Sequence, residues 1–382
     1  MNWHLITGEY PPQAGGVSDY TFLVAHALAE AGQRVTVWCP PVAGPTPGDS
    51  RVSVRRELGA IGRADLRRVD ALLDAEPGPR RLLVQWVPHA YGRRALNWSF
   101  CRWVQNRAAR HGDRVDVVIH EAFVAFEGSW KQRIAAVIQR FMVRTLLRNA
   151  TQVWVTIPTW AELLRPYAPK NMPIAWLPVP STIAVDFQPS AVEAIRKQLL
   201  TGATHVVGHF GTYGPHVASE LTDLLGRLLV DAPTAKILLL GRNGDDFLRR
   251  FLQNHPEAAG RLVAPGRQEP AELSAHLTAC DLFVQPYAGG ISSRNTSLMA
   301  CLAHGRVVVA TAGRLTEPFW QESGAIVLIP GHDAAAVAAA VTQLLADDAA
   351  RRKIAGAGAS VYGSRFTAAR LVQALTAAQP HS

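Results

Sequence analysis

Three observations predict an α/β chain with parallel sheets arranged in two domains. Short apolar runs alternate with amphipathic helical stretches along the whole chain, the pattern of βα units whose strands lie buried in a parallel sheet. The chain opens strand, glycine loop, helix, strand, the geometry of a nucleotide-fold half, and a second β/α run begins near His205. At 382 residues, with 48% apolar and 18% charged residues, the chain is long enough for two cored domains and too apolar to be disordered.

Residues 3–7 read as the first strand. The loop Gly8-Glu-Tyr-Pro-Pro-Gln-Ala-Gly-Gly-Val-Ser-Asp19 follows, then a helix with Val17, Tyr20, Val24, Leu28 and Ala31 on one face and Gly32 as its stop. Residues 34–38 form the second strand. Gly15-Gly16 is not G-x-G-x-x-G, and no acidic residue ends the second strand where a ribose would be held, so an NAD-type site is disfavoured. A Pro/Gly-rich loop spans 40–50, with a strand near 51–55 and a helix near 63–74. Residues 82–87 form a strand whose exit loop is 88–92. Leu96, Phe100, Trp103 and Val104 mark a helix, and the strand 115–119 ends in His120-Glu121. Trp130, Ile134, Val137, Ile138 and Phe141 form the apolar side of a long helix, with Arg133, Arg140, Arg144 and Arg148 stacked on another side. A strand at 153–157 closes the first sheet, and 173–180 reads as the interdomain crossing. The second domain has strands near 205–210, 236–240, 261–264, 281–285, 306–311 and 325–329. An Ala-rich helix follows at 334–345, and the tail near 365–377 forms a last helix. The expected division is 1–178, 179–364 and a tail of 365–382.

The stretch 281–310 concentrates the chemistry. An apolar strand runs into the loop Ala288-Gly-Gly-Ile-Ser-Ser-Arg-Asn295. Leu298, Met299 and Leu302 then repeat at helical spacing until Gly305, and another strand follows. A Gly- and hydroxyl-rich loop entering a helix with an Arg in it suits an anion, because free backbone N–H groups and the positive end of the helix dipole converge there. An ordinary strand–turn–helix fits the same residues.

The net charge is +9. Residues 1–185 hold 22 Lys+Arg against 14 Asp+Glu, or +8, and 186–382 hold 17 against 16, or +1. A basic first half suggests an anionic surface or substrate there. Cys39, Cys101, Cys280 and Cys301 lie far apart in apolar settings, as reduced core thiols of a cytoplasmic protein do. Met1-Asn2-Trp3-His4 leads straight into a strand, so no secretory leader is expected. No apolar run approaches the ~20 residues a spanning helix needs.

Several stretches, in order, resemble the GT-B glycosyltransferases known as family 4. They are Tyr10-Pro-Pro-Gln-Ala-Gly-Gly-Val-Ser-Asp-Tyr-Thr21, Gln85-Trp-Val-Pro-His-Ala-Tyr-Gly92 and Val117-Val-Ile-His-Glu121. A fourth runs through 266–287 with Glu272-Leu273, Cys280-Asp281 and Gln285-Pro286-Tyr287, and a fifth is 291–305, similar to a subgroup whose loop carries Ser, Arg and Ser. The resemblance implies two Rossmann-like β/α/β domains facing across a cleft. It implies sugar transfer from a nucleotide-sugar to an acceptor hydroxyl, retaining and metal-independent, in polysaccharide or glycolipid assembly. The donor would be held mainly by the second domain and the acceptor by the first. No D-x-D pair is present to hold a divalent cation on a diphosphate. No cofactor and no nucleic-acid partner is expected.

On this resemblance His120 is the catalytic candidate, hydrogen-bonding the sugar or positioning the acceptor. Gly15, Gly16, Thr212, Tyr213, Arg242, Ser292, Ser293, Arg294, Asn295, Thr296 and Ser297 are donor-binding candidates. Asp19 and Glu121 lie on the acceptor side, although Asp19 equally suits the dipole of its helix, as does Glu9. The four arginines on one helix face either rest on anionic lipid, as a lipid-linked acceptor and a membrane-peripheral location would require, or form a solvated face. Two departures stand out. The family has two Glu eight positions apart at the donor loop, where this chain has Ser292 and Ala300. The Arg and Lys that neutralise the diphosphate are replaced by Thr212 and Val217, leaving Arg294 and Arg242 as substitutes. The alternative is therefore a catalytically degenerate GT-B protein acting as a sugar-nucleotide-binding or partner subunit. A GT-B epimerase would need paired carboxylates that are not found.

Overall fold

The computed structural model describes residues 2–45, 50–92, 95–126 and 128–377, apart from the side chain of His216. The residues group into two compact units, Met1–Pro178 with Ala368–Ser382, and Val179–Thr367.

The first unit is built on a seven-stranded parallel sheet of Asn2–Ile6 (β1), Arg34–Trp38 (β2), Val52–Arg55 (β3), Arg80–Trp86 (β4), Arg114–Ile119 (β5), Gln152–Val155 (β6) and Ile174–Trp176 (β7). Their order is β3-β2-β1-β4-β5-β6-β7. The inner strands are apolar on both faces because helices cover both sides, as parallel sheets require. Leu5, Val37, Leu83, Val84, Val117 and Val118 are all fully buried. β7 falls in the stretch assigned from sequence to the interdomain crossing. Its three residues, in a stretch closed by Pro173 and Pro178, make too short a run to read as a strand, and it is pairing with β6 (Val153↔Ile174, Val155↔Trp176) that defines it.

Five helices follow the strands of this unit: Gly16–Glu30 (α1), Arg63–Ala75 (α2), Trp98–Arg110 (α3), Trp130–Leu147 (α4) and Pro158–Leu164 (α5). α4 begins with a capping box in which Ser129 and Gln132 serve each other's backbone N–H groups. Its orientation departs from the sequence reading. The buried side chains are Ala136, Gln139, Met142, Val143, Leu146 and Leu147, whereas Trp130, Ile134, Val137 and Phe141 are exposed. Both faces carry apolar residues, so periodicity alone could not choose between them. Gln139 settles the matter. Its buried amide accepts from Val124 N at 2.9 Å and donates to Ala95 O at 3.4 Å, partners found only on the inner side.

The second unit carries a six-stranded parallel sheet of His205–Phe210 (β8), Ala235–Leu240 (β9), Leu262–Val263 (β10), Leu282–Gln285 (β11), Val307–Ala312 (β12) and Val327–Pro330 (β13), in the order β10-β9-β8-β11-β12-β13. Its helices are Pro189–Leu199 (α6), Pro215–Asp231 (α7), Gly244–Asn254 (α8), Pro270–Ala279 (α9), Thr296–Ala303 (α10), Pro318–Ser323 (α11), Ala334–Ala346 (α12) and Asp348–Arg365 (α13). Several open on proline, which is pre-set for the first helical position. One core cluster joins Val207, Leu224, Leu225, Ile237, Leu239, Phe247, Val284, Val309 and Val341. Each such buried side chain contributes roughly 1.5–3 kcal/mol of transfer free energy.

Where the sequence reading set 365–382 apart as a tail, two different elements meet. α13 ends the second unit; Gly358 lets it cross α10 closely, since a Cβ there would lie 2.9 Å from Leu302 Cδ2. Ala368–Thr376 (α14) packs on α1 of the first unit. It is fixed there by Arg81, which pairs with buried Asp116, stacks over Trp3 and donates from Nη1 to Leu375 O at 2.7 Å. The four cysteines are buried and free. Among the described residues no helix is long and apolar enough to cross a membrane.

Candidate active site

A parallel sheet wound outward in both directions binds ligands beyond the carboxyl ends of the two strands where its order reverses. In the first unit these are β1 and β4, and in the second β8 and β11.

In the second unit β8 exits through Gly211-Thr212-Tyr213-Gly214 into α7, whose N-cap Gly214 supplies no side-chain acceptor. Thr212 is exposed. Tyr213, expected from its position to touch the donor, is instead a core residue. Its φ of 56° reverses the side chain into the core cluster, where its hydroxyl donates to Leu240 O at 3.0 Å. His209, one step back on the strand, is fully buried. Its Nδ1 lies 2.9 Å from Val284 O, which places the proton on Nδ1 and makes Nε2 an acceptor. Nε2 has no hydrogen-bond partner among the described residues. It faces Gly211, where a Cβ would lie 3.1 Å away. Burial holds this imidazole down to about 4, so it is neutral at pH 7. The exit of β9 touches the same loop. Gly241, at φ 102°, comes so near that a Cβ would sit 2.3 Å from Gly211 O. That approach sets exposed Arg242 beside a loop with no cation of its own.

The β11 exit runs from Pro286 to Asn295 and enters α10. It is clamped against the β12 exit: Tyr287 N donates to Thr311 Oγ1 (2.8 Å), Ile291 N to Thr311 O (2.8 Å), and Leu315 N to Gly289 O (2.9 Å). Ser292 sends both N and Oγ to Asn295 Oδ1, at 2.8 and 2.9 Å. Ser293 N lies 3.1 Å from each Glu317 oxygen, and its hydroxyl donates to the same carboxylate, which also accepts Trp320 Nε1 at 2.9 Å. Burial outweighs these donors and raises the Glu317 carboxyl above its ordinary value. Ser297 Oγ is 2.8 Å from Tyr287 Oη and 3.4 Å from Gln285 Oε1. Ser292, Ser293 and Ser297, read from sequence as donor contacts, are thus buried and hydrogen-bonded to protein groups that shape the loop. Arg294, Asn295 and Thr296 are half-buried. Asn295 caps α10 in position only, because its Oδ1 is turned back to Ser292, and among the described residues no side chain accepts from the first N–H groups of the helix.

The first unit treats its helix start differently. Gly15 is the N-cap of α1 and has no side chain, but Glu9 reaches in from the same loop, and its Oε1 accepts Ser18 N at 3.0 Å. A Cβ at Gly15 would lie 2.4 Å from that oxygen, so the glycine is needed for the carboxylate to enter. Gly15 and Gly16, read as a phosphate approach, flank a helix start that already holds an internal anion. Gly16 and Asp19 are exposed.

His120 continues the sheet, its N donating to Trp86 O at 3.0 Å, while Trp160 Nε1 pins its carbonyl at 3.0 Å. Its Nε2 is 2.8 Å from Oε1 of buried Gln85 on β4, and Tyr20 packs edge-on against the ring at 4.9 Å. Gln85 and Trp160 were not singled out from sequence, because their roles depend on pairing between β4, β5 and the helix after β6. Half-buried Glu121 stands 3.9 Å from His89 Nδ1. Among the described residues one set of metal-ligand types converges, Asp70, Asp74 and His111. Arg107 already bridges both carboxylates at 3.0 and 2.7 Å, far in sequence from either strand exit.

Residues 204–347 match the family model of glycosyl transferases group 1. A phosphatidyl-myo-inositol mannosyltransferase of Mycobacterium leprae is 23% identical over 369 residues, covering 90% of this chain and 87% of that protein. Among solved structures, sucrose-phosphate synthase from Thermosynechococcus elongatus superposes with a TM-score of 0.76 at 18% identity, over 98% of this chain and 97% of the other. Anabaena HepE in complex with UDP and glucose gives 0.69 at 14% identity, over 98% of each chain. Residues 204–347 are thus similar to glycosyl transferases group 1, and the fold of the chain as a whole is that of the GT-B glycosyltransferases.

Proposed function

We propose that the chain moves a sugar from a nucleotide-sugar to a hydroxyl of a lipid-linked acceptor, with retention at the anomeric carbon and without a bound metal. The observation that carries this reading is the β8/β11 switch point. Two helices, α7 and α10, start there with no cap from their N-cap side chains, beside Arg242 and Arg294 and the Nε2 of buried His209, which has no partner among the described residues. Helix starts and arginines stabilise negative charge on a diphosphate, and they do so most as the phosphate departs. HepE, of like fold, was solved with UDP and glucose. The mannosyltransferase relative is named for a phosphatidyl-inositol acceptor, which supports a lipid hydroxyl here.

In the reaction the bond from the anomeric carbon to the phosphate oxygen breaks and a bond to the acceptor oxygen forms. The acceptor proton passes to the departing phosphate oxygen, so no strong protein base is required. His120, oriented by Gln85, hydrogen-bonds the sugar or aligns the acceptor.

Calorimetric titration with UDP-, GDP-, ADP- and dTDP-sugars in the presence of a chelator tests the reading. One nucleotide class is expected to bind, and Arg294→Ala to weaken it by about 10- to 100-fold, the loss of one charge-assisted hydrogen bond. Binding of none of the four would sink the donor site. Binding without turnover toward any lipid acceptor would favour the non-catalytic subunit, which the missing Glu at Ser292 and Ala300 also suits.

A further inference from the structure

The described residues of the chain expose ten large hydrophobic side chains, and six of them, Val124, Phe126, Trp130, Ile134, Val137 and Phe141, fall within 18 residues. On α4 the four at 130, 134, 137 and 141 lie within about 60° of one another on a wheel of 3.6 residues per turn. They face directly away from the buried stripe of Ala136, Gln139, Met142, Val143 and Leu146. Trp130 is 67% exposed and Phe141 54%. Singly exposed apolar residues need no explanation, but a contiguous row on a helix does.

The row is framed by charge of one sign. Lys131, Arg133, Arg144 and Arg148 are exposed, and no acidic residue occurs from 128 to 148. None of the four forms an ion pair among the described residues. The approach to the helix is built as well. Arg140 lies over the rings of Phe123 and Phe126, at 4.1 and 5.3 Å, and donates to Ala136 O at 2.8 Å, holding the 123–126 segment against the helix.

We propose that this face of α4, with Val124 and Phe126, docks on an anionic lipid bilayer. Trp130, Ile134, Val137 and Phe141 enter the headgroup–acyl boundary, and Lys131, Arg133, Arg144 and Arg148 meet lipid phosphates. An amphipathic helix with aromatic and aliphatic residues on one side and cations at its edges lies in that interface. Basic residues beside an anionic surface add to the attraction, and tryptophan favours the headgroup level. A second copy of the chain is disfavoured, because a two-fold contact would set the same cations against one another. The inference stands independently of sugar transfer, and its test reads lipid binding and not turnover.

The full chain is sedimented with phosphatidylcholine vesicles with and without phosphatidylglycerol, at roughly 0.1 M salt, where the Debye length is about 10 Å. Binding is expected only with phosphatidylglycerol, and it should fall steeply as salt is raised. Removing two cations, R144Q with R148Q, should weaken it roughly 30-fold, at about one kcal/mol per charge. W130S with F141S should abolish sedimentation while an unchanged melting midpoint shows that the fold is intact. A blue shift of tryptophan emission on binding should be reduced in W130F. No binding to the phosphatidylglycerol vesicles, binding that neither pair of substitutions changes, or a concentration-dependent dimer that W130S/F141S dissolves would each overturn the proposal.

Discussion

Glu317 is the buried acceptor on which the loop between β11 and α10 depends. Replacing it with Ala removes the partner of Ser293 N–H, Ser293 O–H and Trp320 Nε1–H, all of them buried. At about 1–3 kcal/mol for each donor left unsatisfied, the gross loss is several kcal/mol. Relief of the desolvation that raises this carboxyl offsets part of it, and water entering the small polar space offsets more. A net loss of about 3 kcal/mol is expected for Glu317→Ala, and about half that for Glu317→Gln, which keeps one acceptor oxygen. Urea unfolding should show the midpoint falling with an unchanged slope. Nucleotide-sugar affinity should fall further than stability explains, because Ser293 positions Arg294 and the start of α10. The pH dependence has a definite sign. Because the folded carboxyl sits above its unfolded value, the fold holds a proton that the unfolded chain has released. Stability from this group is therefore greatest at low pH and declines as pH rises from about 4.5 through the folded value. A loss below about 1 kcal/mol for Glu317→Ala, with donor affinity unchanged, would refute the anchoring role.

Three further outcomes are expected. His4 and His209 are buried and held down to about 4 against an ordinary 6.5, so the unfolded chain takes up protons that the fold refuses. Stability should fall as pH drops from about 6.5 toward 4, by about 3 kcal/mol per residue at the lower end, and His209→Gln should flatten the slope measured by urea unfolding. Glu9→Ala should cost about 1 kcal/mol, the value of a helix cap; Gly15→Ala should cost more in the native background than in Glu9→Ala, and a double-mutant cycle without coupling would remove Glu9 from the α1 start. His120→Ala should lower turnover with little change in donor affinity, and unchanged turnover would exclude it from the reaction.

Much of the fold is legible because parallel strands announce themselves as short apolar runs between amphipathic helices. Twelve of the thirteen strands lie where such runs occur. β7 escapes because its three residues gain strand character only from β6. α13 escapes because Gly356, Gly358 and Gly363 dilute its apolar pattern, although Asp347 signals its start by accepting Ala350 N at 2.9 Å. The site is less legible for the same physical reason throughout. Sequence shows that 288–297 is a hydroxyl-rich loop, but whether a hydroxyl faces a ligand or a neighbour depends on groups far along the chain. Glu317 claims Ser293 from 24 residues away, and Gln85 claims His120 from 35. Tyr213, a donor-binding candidate from sequence, is turned inward by its positive φ.

The two switch points also differ in a way that bears on the donor site proposed for the second unit. Both present a glycine at a helix start, Gly15 before α1 and Gly214 before α7. The α1 start is already served by Glu9, whose carboxylate accepts Ser18 N and lies against Gly15. A phosphate arriving there would have to displace that carboxylate or sit beside it, against like charge in either case. In the second unit neither α7 nor α10 is capped by its N-cap side chain, and the buried Glu317 carboxylate beside the loop is taken up by Ser293 and Trp320. The same dipole and N–H groups are therefore open to a ligand in one unit and serve the protein's own carboxylate in the other. This asymmetry supports a donor held by the second unit even though the usual Arg–Lys pair is replaced by Thr212 and Val217. It also predicts that removing Glu9 would open a second, weaker phosphate site on the first unit, detectable as an added low-affinity event with inorganic pyrophosphate that the unaltered chain lacks.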